Sequence, residues 1–257
     1  MIPILVFDIE TIPDVEGLRK VWDLGPELSE QGVVDLVSQR RRQATGSDFM
    51  PPHLQRVVAI SCVLRTSESI RVWSLGGNDA AEADIVSRFF DGIERYKPQL
   101  VSWNGSSFDL PVLHYRALIH GLPGCCYWDT GDNDRDFKFN NYLSRFHTRH
   151  LDLMDVLAGY QNRAWAPLTE MAQLCGFPGK LGMDGSQVYP AYKRGELAAI
   201  RAYCETDVAN TYLVYLRYQL IRGALDRDGF EREVAAFRSW LGEQDAAHWK
   251  EFASAWK

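Results

Sequence analysis

Asp8 and Glu10 stand two residues apart where the apolar run Ile2 to Phe7 meets polar sequence. On a strand, both carboxylates project from one face and Ile9 points the other way. Two adjacent carboxylates repel, and burial beside a sheet makes charging both costlier. A cation between them would resolve the conflict. A strand end running into solvent, with Thr11 opening a turn, explains the pair as well. Asp109 lies in Val101-Ser102-Trp103-Asn104-Gly105-Ser106-Ser107-Phe108-Asp109, a pattern of strand, tight Asn-Gly turn and helix start. A carboxylate in a first helical turn also compensates the helix dipole, so this segment alone fits a structural role. Tyr203 and Asp207 are four apart in a long helical pattern, hence on one face about a turn apart. An exposed Tyr–Asp pair is the plain alternative, because most helical charges are solvated.

Taken together, the D-x-E pair, the N-G-x-x-F-D segment and the Y-x-x-x-D pair form an oxygen-rich set, the kind preferred by hard divalent cations. Other chemistries lack their signatures. The five cysteines (Cys62, Cys125, Cys126, Cys175, Cys204) form no C-x-x-C and read as reduced structural thiols. No Walker A loop or nucleophile elbow occurs, and Gly76-Gly77 reads as a turn. The six histidines form no ligand pair.

These groups need a scaffold. Ile2–Phe7 reads as a buried strand, and a polar segment from about 13 to 55 follows, with a helix around Glu27–Arg42 and a stop at Pro51-Pro52. Arg56–Arg65 and Ser69–Leu75 read as a hairpin around Thr66–Glu68. Asp79–Tyr96 is helical, Gln99–Trp103 a short strand, and Phe108–His120 a helix that tolerates Pro111 only in its first turn. Leu122–Arg149 has no legible order. Leu151–Tyr160, Leu168–Cys175 and Glu196–Arg222 read as helices, with Asp152 an N-terminal cap. Beyond Gly223, Phe230, Val234, Phe237, Leu241, Trp249, Phe252 and Trp256 predict one or two docked helices. The whole is an α/β chain, a mixed β-sheet flanked by helices with a C-terminal helical extension.

Composition sets the outer bounds. The 257 residues carry 28 Lys+Arg against 34 Asp+Glu, a net charge of −6, which disfavours tight, sequence-blind binding along a duplex. The size supports a core without disulfide staples. No apolar run is long enough for a membrane span, and Asp8 and Glu10 spoil a signal-peptide reading, so a cytoplasmic chain is expected. One stretch mixes cations with aromatics (Arg135, Phe137, Lys138, Phe139, Tyr142, Arg145, Phe146, Arg149), which suits either a single nucleic-acid strand or aromatics buried in a loop.

In this order, Phe7-Asp8-Ile9-Glu10-Thr11, Asn104-Gly105-Ser106-Ser107-Phe108-Asp109 and Tyr203-Cys204-Glu205-Thr206-Asp207 resemble the three motifs of the DEDD 3′–5′ exonucleases in their tyrosine (DEDDy) form. The nearest resemblance is to stand-alone predicted exonucleases similar to the proofreading domain of family B DNA polymerases. His150-Leu151-Asp152-Leu153-Met154 adds to it. The likeness implies a ribonuclease H-like exonuclease domain over 1–222, with an insertion at about 13–55 and helices at 223–257 outside the minimal core. It implies Asp8, Glu10, Asp109, Tyr203 and Asp207 as catalytic residues. Two divalent ions, Mg2+ or Mn2+, would be held by Asp8, Glu10, Asp109 and Asp207, with Asp8 bridging them. Ile9, Thr11, Asn104 and Phe108 would contact a nucleic-acid 3′ end, single-stranded DNA in the first instance. Tyr203 would orient the attacking water, since an unperturbed phenol is too weak a base. Recruitment by DNA replication or repair proteins stays open. So do two rival readings, a binding module of the same fold without turnover and a hydrolase of small phosphate esters.

Overall fold

A computed structural model describes residues 2–179 and 181–256; residues 1, 180 and 257 lie outside the described residues. Ten consecutive residues, Ile4–Pro13, form strand β1. Helices α1 (Val15–Trp22) and α2 (Glu30–Thr45) follow, then the hairpin of β2 (Gln55–Arg65) and β3 (Ile70–Ser74). Next come α3 (Glu82–Tyr96), β4 (Gln99–Ser102), α4 (Asp109–His120) and the single turn α5 (Cys125–Trp128). Strand β5 (His150–Asp152) leads into α6 (Leu153–Leu157), α7 (Leu168–Leu174) and α8 (Gly185–Lys193). The chain closes with α9 (Leu197–Ile221), α10 (Arg227–Gly242) and α11 (Ala247–Ala255).

The strands form one sheet in the order β3-β2-β1-β4-β5. β2 runs antiparallel to both its neighbours, whereas β1, β4 and β5 are mutually parallel. Alternation along β1 sorts its two faces. Leu5, Phe7 and Ile9 join Phe89, Ile93, Leu110 and Leu113 in a core under α3 and α4. Val6 packs on the other face with Val208, Leu213 and the aromatic residues of α10 and α11. The middle of α9, from Val208 to Leu216, is buried all round because the sheet covers one side and α7, α10 and α11 cover the others.

Two expectations require correction. β1 begins at Ile4 and runs on to Pro13, so Asp8 and Glu10 lie inside a paired strand and not at its exit into solvent. The β1–β2 register slips between Glu10 and Thr11, an irregularity that re-aims the side chains beyond it. Leu151–Tyr160 is not one helix: His150–Asp152 pairs with β4, and only Leu153–Leu157 is helical. The segment that sequence left unordered is held by side chains bonding backbone. Asp129 accepts from the amides of Gly131, Asp132, Asn133 and Asp134, and Asn140 from those of Thr148 and Arg149.

Candidate active site

Asp8 and Glu10 share the β1 face that α9 covers, and there the helix puts Cys204 against the strand. The Cys204 thiol lies 3.4 Å from the Asp8 carbonyl O and 3.5 Å from its Oδ2. A carboxylate oxygen from each acid and Cys204 Sγ all lie within 4.8 Å of one another. Cys204 carries no charge into the group, because burial and then the Asp8 carboxylate push its thiol pKa up.

Asp109 arrives from the other side of β1. After β4 the chain turns through Asn104, whose φ of 68° is the left-handed conformation that asparagine tolerates. Gly105 then passes so near Ser102 that a Cβ would collide with its Oγ. The turn opens α4 with Asp109 as its first residue, and Asp109 Oδ1 accepts a 3.2 Å hydrogen bond from the Ile9 amide, between the two strand acids. Tyr203 and Asp207 come from α9 one turn apart, and the Asp207 carboxylate is the foremost charge acting on the Tyr203 phenol.

The electrostatics bind these five residues into one site. Desolvation raises the Asp8 carboxyl well above its ordinary value, with the Asp109 and Asp207 charges adding to it. Glu10, 8% exposed, is raised by burial and then by Asp8, Asp207 and Asp109. Asp109 is pushed up to about 7, chiefly by burial, although the Ile9 amide opposes the shift. Burial and then Asp207, Glu10 and Asp8 drive the Tyr203 phenol upward, so it stays protonated. Repelling, oxygen-only carboxylates that resist ionisation are a donor set matched to hard divalent cations.

Beside Glu10 lies a cavity of about 300 Å³. Ile9, Thr11 and Phe108 line it; Asn104 is not among its lining residues, and its buried Oδ1 has no hydrogen-bond partner. Sequence reasoning missed the rest of the wall. Asp48, Phe49 and Met50 come from the 13–55 insertion, and Gly185 and Tyr189 from α8. The Phe49 ring packs on Phe108 with centroids 5.5 Å apart. An exposed Phe just before Pro51-Pro52 was the available signal. The insertion has its own small core of Leu18, Val33, Val34, Val37, Met50 and Leu54. Arg40 and Arg42 are engaged locally, Arg40 over the Trp22 ring and Arg42 with Asp48.

The five-stranded mixed sheet flanked by helices matches the fold of a family B polymerase exonuclease region. The family B DNA polymerase from Pyrobaculum calidifontis superposes with a TM-score of 0.50 at 17% identity, over 86% of this chain and 25% of that one. The chain belongs to the family of predicted 3′–5′ exonucleases related to the exonuclease domain of PolB, whose family model matches residues 47–256. That match includes Asp109, Tyr203, Asp207 and the two C-terminal helices, and begins after Asp8 and Glu10. The catalytic polypeptide of DNA polymerase epsilon from Aspergillus fumigatus is 25% identical over 147 residues, 55% of this chain. The DNA polymerase of Archaeoglobus fulgidus is 25% identical over 171 residues, 65% of this chain. The alignments span 6% and 21% of these two relatives. Among the described residues no helix is long and apolar enough to cross a membrane.

Proposed function

We propose that this chain is a metal-dependent 3′–5′ exonuclease that hydrolyses terminal phosphodiester bonds of single-stranded DNA. The observation that carries this reading is the cluster of Asp8, Glu10, Asp109 and Asp207, each raising the cost of charge on another, beside a cavity walled by aromatic rings. Asp8 and Glu10 would hold two divalent ions, Mg2+ or Mn2+, together with Asp109 and Asp207. Bound there, such ions supply Lewis acidity to the phosphate and make hydroxide accessible near neutral pH.

The remaining work falls to the chain itself. Tyr203, kept protonated by burial and the Asp207 charge, orients the attacking water and is not a free base. The Ile9 amide fixes Asp109 against β1. Phe108 and Phe49 form an apolar slot for the terminal base, with Thr11 at its edge and Ile9 beneath. The unpartnered Asn104 Oδ1 suits a polar contact with the terminal nucleotide. In this reading residues 1–222 are the catalytic domain and the helices at 223–257 brace α9 from behind. DNA is favoured over RNA because the named relatives are DNA polymerases.

Single-stranded DNA labelled at its 3′ or 5′ end, with Mg2+, Mn2+ or EDTA, tests the reading. Immediate release of the 3′ label as mononucleotide, abolished by EDTA, is expected. Release of the 5′ label first, or hydrolysis of small phosphate esters alone, would overturn it.

A further inference from the structure

The segment that carries Asp109 separates two cavities. Phe108 lines the one beside Glu10; Ser106, Ser107 and Leu110 line a second, of about 370 Å³. The second cavity's outer wall includes Arg145, Asp155, Asn162 and Trp165. Arg145, its side chain 52% exposed, reaches Asp155 at 3.2 Å and lies over the Tyr160 ring, 4.8 Å from its centroid. Beyond it, the 80% exposed Phe146 ring meets Tyr160 with centroids 6.1 Å apart.

The rings of the mixed cation–aromatic stretch divide, Phe139 and Phe146 being exposed at 78% and 80%. Phe137 and Tyr142 are buried in the core, with the Arg149 guanidinium over Phe137, and need no further explanation. Phe146 and Tyr160 face solvent, where large rings contribute nothing to the core. Charge points the same way. From 137 to 169 the sequence contains Lys138, Arg145, Arg149 and Arg163 but only two acids, Asp152 and Asp155, both of which are buried. In a chain of net charge −6 this stretch carries no exposed carboxylate of its own, the exposed Asp136 and Glu170 flanking it.

We infer that Phe146, Tyr160 and Arg145 form a shelf for single-stranded nucleic acid, holding the nucleotides that lead toward the cleaved end. Bases stack on the two rings, Arg145 and Arg163 meet the phosphates, and the segment 106–110 lies between the shelf's cavity and the candidate active site. Exposed ring faces require bases free of a partner, so a single strand fits and a duplex does not. The inference rests on the proposed exonuclease reading for the direction of the strand, although strand binding itself can be measured without turnover.

The test pairs binding with cleavage. Fluorescence anisotropy of a labelled ten-nucleotide thymidylate strand in EDTA reads affinity, and relative kcat/KM on that strand and on a dinucleotide reads the length preference. The double variant Phe146→Ala, Tyr160→Leu should bind the strand about tenfold or more weakly and lose the preference for the longer substrate. Phe146→Trp, which keeps a stacking face, should retain both and so distinguishes lost stacking from lost folding. Unchanged affinity in the double variant, equal losses on both substrates, or tighter binding to duplex would overturn the shelf. If the rings govern strand binding but the parent chain never releases a nucleotide, the exonuclease reading fails and the shelf stands. If cleavage proceeds with its length preference intact in the double variant, the reverse holds.

Discussion

The amide of Asn104 donates a 3.0 Å hydrogen bond to Asp152 Oδ1, tying the turn before α4 to the end of β5. Asp152 also accepts from the amides of Ser106 at 2.9 Å, Met154 at 3.1 Å and Asp155 at 3.3 Å. One carboxylate thus caps α6 and fixes the turn that aims Asp109. Asp152→Ala leaves four amides without that acceptor and should cost about 2–3 kcal/mol in urea denaturation. Asp152→Asn, keeping an oxygen for three of the four, should cost less. Wild-type stability in the alanine variant would remove the bracing role.

Asp8→Asn and Asp207→Ala should each abolish cleavage, by about a thousandfold or more, because the proposed ion site loses charge and a ligand. Stability should move the other way for Asp8→Asn. Its half-buried carboxyl feels the Asp109 and Asp207 charges, so neutralising it should raise the melting temperature of the metal-free protein by about 2–4 °C, about 1 kcal/mol at this size. Undiminished turnover by Asp207→Ala in Mn2+ would discard the proposed site.

Tyr203→Phe removes a hydroxyl that burial and the Asp207 charge hold protonated. A loss of about 10–100-fold in kcat, with KM little altered, is expected for a group that orients water. Complete inactivity in steady-state assays would assign the phenol a larger share of the chemistry.

Phe49→Ala removes the ring tilted against Phe108 at the cavity beside Glu10. The expected result is a KM for DNA about tenfold higher, in line with one lost base–aromatic contact. An effect on kcat alone would place Phe49 outside nucleotide recognition.

His114 and His150 predict the acid limit of the fold. Burial, and then the charge of His150, pushes His114 down to about 4; burial likewise takes His150 down to about 4, against the opposing pull of Asp155. Both are neutral in the folded chain, whereas the unfolded chain binds their protons below about 6.5. Their contribution is complete above that pH and is lost as pH falls through the folded values. Between about pH 6.5 and 4, stability should drop by up to about 1.4 kcal/mol per pH unit for each histidine. Urea titrations of His114→Gln across this range should show a shallower decline.

Sequence legibility followed the range of the interactions involved. α3 announced itself by a strong local apolar periodicity, β2 and β3 by short apolar runs, and α4 and α9 by long apolar stretches without a breaker in their interiors. β5 did not, since three residues carry no period and Asp152 signals a helix start equally well. The 122–149 segment was opaque because Asp129, Asn140 and Asn141 build it from side-chain bonds to backbone. Helix α8 was missed, its Pro190 being a poor omen for a helix. At the candidate site, the strand spacing of Asp8 and Glu10 and the helical spacing of Tyr203 and Asp207 were readable. Their meeting with Asp109, the closeness of Cys204 and the wall supplied by Phe49 and Tyr189 depend on distant chain segments, which no window of sequence displays.

The insertion between β1 and β2 holds itself together around Leu18, Val33 and Val37 while lending Phe49 and Met50 to the cavity beside Glu10. In the proposed reading, recognition is thereby hung on a bracket with a core of its own, while Asp8 and Glu10 stay on the sheet. Selection, or an engineer, could exchange that bracket for one of another length and retune which terminal residue is admitted, leaving the cleavage chemistry where it is.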